Sequence, residues 1–131
     1  MLRDVSRLLA QTETVSVIDE RQELYPEGFE RGIRMDVLSR CPKSEGIGMV
    51  LRTMGTQWIA VDEITEEADC NALIRAANCG TNLLATAHAH SLTDLRSRQV
   101  YRRLLEQNVF INILALRKDK SFVWERKEAW T

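Results

Sequence analysis

The residue pattern predicts an α/β fold, with a mostly parallel sheet covered by helices on both faces and a strand pair at the C-terminal end. Three observations lead there. Short apolar runs rich in β-branched residues alternate with longer stretches of helical periodicity, as in parallel sheets. Three of those runs end in clusters of polar residues. The last two runs are separated only by the turn Lys118, Asp119 and Lys120.

Each element has its own signal. Residues 2–10 place Leu2, Val5, Leu8 and Leu9 at helical spacing. Residues 14–18 form a β-branched run that ends on Asp19, Glu20 and Arg21. The stretch 22–42 holds Pro26, Gly28, Gly32 and Pro42 and reads as a long irregular segment, expected to be mobile over 25–33. A helix is expected over 45–54, weakened by Gly46 and Gly48. Residues 58–61 make the next strand and deliver Asp62 and Glu63. The spacing of Ala68, Ala72, Leu73, Ala76 and Ala77 predicts a helix over 66–79, closed by Gly80. A strand over 83–86 runs into His88 and His90, and a helix follows over 93–107. Strands over 109–116 and 122–125 end the pattern.

At 131 residues the chain is long enough for one domain with a core, and a single domain over 1–131 is expected. Eighteen Lys and Arg stand against nineteen Asp and Glu, for a net charge of −1. That balance carries no nucleic-acid or membrane footprint. Three cysteines, with no C-x-x-C pair, point to a reducing compartment and to buried, inert thiols. No run approaches the ~20 apolar residues of a membrane span, so no direct membrane insertion is expected.

The chemistry sits where the strands end. Open α/β sheets bind ligands outside the carboxyl ends of their strands. An apolar strand followed by two carboxylates is the arrangement that nucleotide hydrolysis uses. The first acid fixes Mg²⁺ and the second orients and polarises the attacking water. Asp62 and Glu63 fit those two roles, and Thr86 and His88 supply polar groups able to meet a γ-phosphate. Two solvated acids at a strand end are the plainer explanation of the pair. His88 and His90 lack a third and fourth ligand at the spacing of a structural zinc site. Trp58 is expected in the core, while Trp124 and Trp130 are placed against the sheet or against another subunit.

In order along the chain, several segments resemble the stage III sporulation protein AA ATPase family, itself similar to type II and type IV secretion ATPases. They are Val17-Ile18-Asp19-Glu20-Arg21, Arg34-Met35-Asp36-Val37-Leu38, Cys41-Pro42-Lys43 with Glu45-Gly46, Leu51-Arg52-Thr53-Met54, Ile59-Ala60-Val61-Asp62-Glu63-Ile64 and Ala85-Thr86-Ala87-His88. The resemblance implies a RecA-like P-loop NTPase sheet that uses ATP and Mg²⁺. Asp62 would be the Walker B metal residue, Glu63 the catalytic carboxylate, Glu20 the acidic-box residue and His88 the histidine-box residue. Arg21, Arg34 and Thr86 would contact phosphate or a neighbouring subunit. The family also implies a homo-oligomer in the cytoplasm, peripheral to the membrane through channel or secretion proteins of the sporulation apparatus between mother cell and forespore.

One departure matters. Nothing in the 131 residues fits G-x-x-x-x-G-K-S/T, because Gly46 and Gly48 lead into Met49 and Val50. The chain is therefore read as the Walker B half of the domain, lacking the phosphate-loop strand and inactive alone. That strand would lie between the 83–86 and 109–116 strands, which are expected to pair directly or to meet another chain. Two other readings remain: a non-enzymatic assembly module of the same fold, and an R3H-associated nucleic-acid ATPase core.

Overall fold

The computed structural model describes residues 1–28, 32–53 and 55–126. Its backbone divides into two compact units, Met1–Ala87 and His88–Thr131. The first unit holds α1 (Leu2–Leu9), β1 (Val15–Asp19), β2 (Met35–Ser39), α2 (Lys43–Thr53), β3 (Trp58–Val61), α3 (Glu67–Asn78) and β4 (Asn82–Ala85). Its four strands are all parallel, in the order β2-β1-β3-β4.

Alternation along β1 explains the layers. Val15 and Val17 join Ala60, Leu2, Ala10 and Tyr25 in one buried cluster, with Leu9, Met35, Val37, Trp58 and Leu84 packed around it. Ile18 faces the opposite side, where α2 packs against β1 and α3. Every residue of β1 is buried, as a strand covered on both faces requires. Val17, Ile18, Ile59 and Val61 are wholly inaccessible, and each such side chain stabilises the fold by about 1.5–3 kcal/mol.

Helix ends follow their sequence signals. At the end of α3 the N–H of Gly80 donates to the carbonyl of Ala77 and that of Thr81 to the carbonyl of Ala76. This is a Schellman motif, and Gly80 supplies its left-handed residue at φ 86°. Helix α2 begins at Lys43, and the carbonyl of Pro42 accepts its first turn's bond from Gly46.

The expectation of a wholly irregular segment needs correction. The irregular segment 22–42 contains β2, an edge strand whose Asp36 is exposed and whose other residues are half-buried. Tyr25 is buried, and Asp19 holds it: Asp19 Oδ1 accepts the N–H groups of Glu23 and Leu24 at 3.0 and 3.1 Å, and Oδ2 accepts that of Tyr25 at 2.8 Å. Tyr25 Oη donates to the carbonyl of Arg3 at 2.8 Å and lies 2.8 Å from Ser6 Oγ. Residues 29–31, also within the stretch expected to be mobile, lie outside the described residues.

The second unit holds α4 (Leu92–Ser97), α5 (Gln99–Glu106), β5 (Asn112–Leu116) and β6 (Phe122–Arg126). The single helix expected over 93–107 breaks at Arg98, whose backbone is extended at φ −77° and ψ 127°. Strands β5 and β6 form a separate antiparallel sheet. The expected pairing of β4 with β5 is not among the strand pairs of the described residues, and β4 ends its own sheet's strand order. Trp124 lies on β6 and is exposed, while Trp130 falls outside the described residues. Among the described residues no helix is long and apolar enough to cross a membrane.

Candidate functional site

Strand register sets the site. Ile18 lies beside Val61, and Val61 beside Ala85. The next residue on each strand, Asp19, Asp62 and Thr86, therefore opens the carboxyl-terminal edge. Asp19 is wholly buried, and the loop amides already described use both of its oxygens. Its neighbour Glu20, one residue beyond β1, brings a second carboxylate to this edge.

Glu20 and Asp62 meet on a residue to which the sequence assigns no role of its own. Lys43 Nζ lies 2.8 Å from Glu20 Oε2 and 2.8 Å from Asp62 Oδ1. The lysine is only 5% exposed, against 36% for the Glu20 side chain and 21% for that of Asp62. Burial pulls the Lys43 ammonium toward neutrality, but its ion pair with Asp62 and its hydrogen-bonded ion pair with Glu20 more than offset that and hold it above the usual lysine range. It is a charged group at this edge.

Asp69, in the first turn of α3, is buried close by. Burial pushes its carboxyl up, and Lys43 pulls it back down. Glu20 and Glu66 add to the rise, and the Ser44 N–H that it accepts lowers it; the net direction is upward. The same N–H is one of α2's unpaired amino-terminal donors, so Asp69 ties α3 to the start of α2. Cys41, just before α2, is half-buried, and burial followed by the charges of Glu45 and Glu20 raises its thiol.

The other expected residues are placed as follows. Glu63 is half-buried next to Asp62, and Thr86 is half-buried at the end of β4. Arg21 is exposed one residue beyond Glu20. Arg34 goes elsewhere. Its carbonyl accepts the N–H of Val15, and its guanidinium donates to the carbonyl of Thr12 at 3.2 Å. It therefore stands at the amino-terminal edge of the sheet, because β2 runs parallel to β1 and Arg34 precedes it. A phosphate contact within one chain at the Asp62 edge is thereby ruled out for Arg34.

His88 is exposed and opens the second unit, where Arg98 Nη1 donates to its carbonyl at 2.9 Å. Arg98 Nη2 also reaches Asp94 Oδ2 at 3.1 Å, and that oxygen accepts the N–H of His90 at 2.9 Å. The cysteines are all free, but only Cys70 is buried; Cys79 is exposed.

One signal could have found Lys43. A cation in the first turn of a helix faces the positive end of the macrodipole. A lysine directly after Pro42, at the start of α2, therefore requires carboxylate partners.

The acidic edge can be tested against Mg²⁺. This ion usually takes one or two carboxylates and keeps waters or phosphate oxygens for the rest of its shell. Among the described residues no group of three or more His, Cys, Asp and Glu is arranged to hold a metal. Asp62 fits as a single carboxylate ligand. Its Oδ1 is buried and engaged by Lys43, which leaves the other oxygen for an ion arriving from solvent.

The four-stranded parallel sheet flanked by helices, with a separate antiparallel strand pair, is similar in fold to a solved ATPase. The X-ray structure of the Legionella pneumophila ATPase DotB is similar with a TM-score of 0.57 and 18% identity, over 95% of this chain and 38% of that one. The profile of the family described as "Sporulation stage III, protein AA" matches residues 1–123, and the chain belongs to that family. It is 35% identical over 133 aligned positions to Stage III sporulation protein AA of Bacillus subtilis (strain 168), covering 92% of this chain and 43% of that protein. The chain thus spans less than half the length of each of these relatives. The resemblance read from its motifs is borne out.

Proposed function

We propose that this chain is the Walker B half of an ATPase that works in spore formation, powering or assembling a channel between mother cell and forespore. The observation that carries the reading is the convergence of Glu20 and Asp62 on Lys43 at the carboxyl-terminal edge, with Glu63 following Asp62. Family membership supplies the sporulation context.

In this reading Asp62 would hold Mg²⁺, and Glu63 would orient and polarise the attacking water. Bound Mg²⁺ supplies charge neutralisation on the β- and γ-phosphates of ATP. Glu20 fixes the far side of Lys43, and Thr86 offers a hydroxyl toward phosphate. His88 and Arg21 are the further candidate contacts. Arg34, at the opposite edge, is available only to a neighbouring subunit of a homo-oligomer. The protein would act in the cytoplasm, held near the membrane by its partners.

Two carboxylates cannot hold a triphosphate without donors for its oxygens, and the chain contains no G-x-x-x-x-G-K-S/T segment. The 131 residues alone are therefore expected neither to turn over ATP nor to bind Mg²⁺-ATP tightly. The second reading is an assembly module of this fold without turnover.

Phosphate release at saturating Mg²⁺-ATP separates the two. The assay is run on this chain, on a longer chain that includes a phosphate-loop segment, and on Glu63→Gln and Asp62→Asn in the longer chain. The longer chain should hydrolyse ATP. Glu63→Gln should keep nucleotide and lose about 10²-fold or more in rate. Asp62→Asn should weaken the metal-dependent part of binding. Turnover by the 131 residues alone would falsify the phosphate-loop argument, and a longer chain that binds but never hydrolyses would establish the assembly module.

A further inference from the structure

The geometry points to Lys43 as a positioning residue that grips Asp62 and Glu20 from inside the protein and fixes the direction in which each carboxylate faces solvent. The inference rests on the reading of Asp62 as a metal-binding carboxylate, and adds to it a residue that touches neither metal nor nucleotide.

Burial is unequal across the trio. The ammonium is the inner member at 5% exposure, while the two acidic side chains keep 36% and 21%. Lys43 Nζ takes one oxygen from each, Glu20 Oε2 and Asp62 Oδ1, both at 2.8 Å. Asp62 Oδ1 is sealed from solvent, so the exposure left to that side chain lies on its other atoms. A cation arriving from solvent can then meet only the second oxygen.

The cost of this arrangement argues that it has a use. A buried ion pair is weak evidence for stability, because well-packed apolar side chains often serve as well. Here the lysine also stands at the wrong end of a helix for its charge. What it provides is a fixed orientation of residues from two strands, β1 and β3, by a group anchored on α2. Partners of this kind, which orient a ligand without touching the metal, typically change metal affinity by about 10–100-fold when removed.

The test is Mn²⁺ binding to this chain, followed by water-proton relaxation and titration calorimetry, with Lys43→Met, Lys43→Arg and Asp62→Asn. A positioning role requires Lys43→Met to bind Mn²⁺ about 10-fold or more weakly, with Lys43→Arg recovering part of the loss. Urea unfolding and circular dichroism establish that the variants are folded.

Unchanged affinity in folded Lys43→Met would show a structural role only and overturn the proposal. Tighter binding would overturn it too, by making Lys43 a competitor for the metal. Binding that survives Asp62→Asn, or no binding by the unsubstituted chain, would instead sink the reading of Asp62 as well.

Should Lys43→Met not fold, the unsubstituted chain still decides. The Lys43 ammonium resonance, labelled with ¹⁵N, should persist as a protected signal at saturating Mg²⁺. Its release to solvent on adding metal contradicts positioning.

Discussion

Asp94 illustrates how one carboxylate organises a loop on the surface. It accepts the N–H of His90 and receives Arg98, which in turn holds the carbonyl of His88. The bond from His90 is the main cause of its lowered carboxyl, opposed by desolvation and reinforced by Arg98. The sign follows from linkage. A carboxylate whose folded value is depressed contributes stability that is present above its unfolded value, near ~3.9, and is lost as pH falls through the lower folded value. The loop over 88–91 should therefore stay ordered from neutral pH down to about pH 4. Amide exchange at His90, corrected for intrinsic rates, should be faster in Asp94→Ala at neutral pH, and the unsubstituted chain should approach the variant only under stronger acid. Convergence already at pH 6 contradicts the assignment. Residues of this kind were only partly legible. Asp62, Glu63 and Glu20 declared themselves by standing at strand ends. Lys43 and Asp69 did not, because their role depends on which helices pack together over the edge, and periodicity within one segment is silent about that.

At the scale of elements, the two glycines of α2 look alike in sequence and differ in the fold. A Cβ on Gly46 would lie 2.9 Å from Ile18 Cγ2 and 3.4 Å from Cys41 Sγ, inside a packed contact with β1. On Gly48 it would meet only Arg52 Nη1 at 3.3 Å, the far end of a flexible side chain. Gly46→Ala should thus cost about 1–3 kcal/mol through overpacking. Gly48→Ala should be neutral or stabilise by up to about 1 kcal/mol through helix propensity. Urea unfolding of both variants checks this, and equal effects would refute the close approach of α2 to β1. Low helix propensity is common to both glycines and carries no information about the contact that Gly46 serves. Two further elements escaped for related reasons. Strand β2 pairs along a sheet edge with Asp36 exposed, so it lacks a continuous apolar run. The break at Arg98 has no Gly or Pro to announce it. The capping of α4 was present in the sequence, in Ser91 followed by Asp94, whose N–H donates to Ser91 Oγ at 3.1 Å.

Across the whole molecule, burial predicts an uneven distribution of stability. The amides of β1 and β3 lie in a four-stranded parallel sheet with side chains that are almost wholly inaccessible. They should exchange only by global unfolding. Strands β5 and β6 form a two-stranded sheet, and Leu116, Phe122 and Trp124 on it are 57%, 66% and 56% exposed. A lone antiparallel pair is marginally stable in water, so its amides should exchange through local opening. The loop after β1 supplies the discriminating case. Its glycine and proline content predicts rapid exchange, but the Tyr25 N–H is buried in a hydrogen bond to Asp19 Oδ2. Tyr25 should therefore be protected like a strand residue, while Gly28, at φ 94° with no neighbour near its Cα side, should not. Asp19→Ala leaves three amides without their acceptor and should destabilise the first unit by about 1–3 kcal/mol, the cost of the one buried group among them, since those of Glu23 and Leu24 are only part-buried. Hydrogen exchange read by NMR on both proteins decides the matter. Slow exchange at Tyr25 that disappears in Asp19→Ala, with β3 still protected, places the carboxylate at the centre of that loop's order. Fast exchange at Tyr25 in the unsubstituted chain returns the segment to the irregular, mobile state that its composition alone implies.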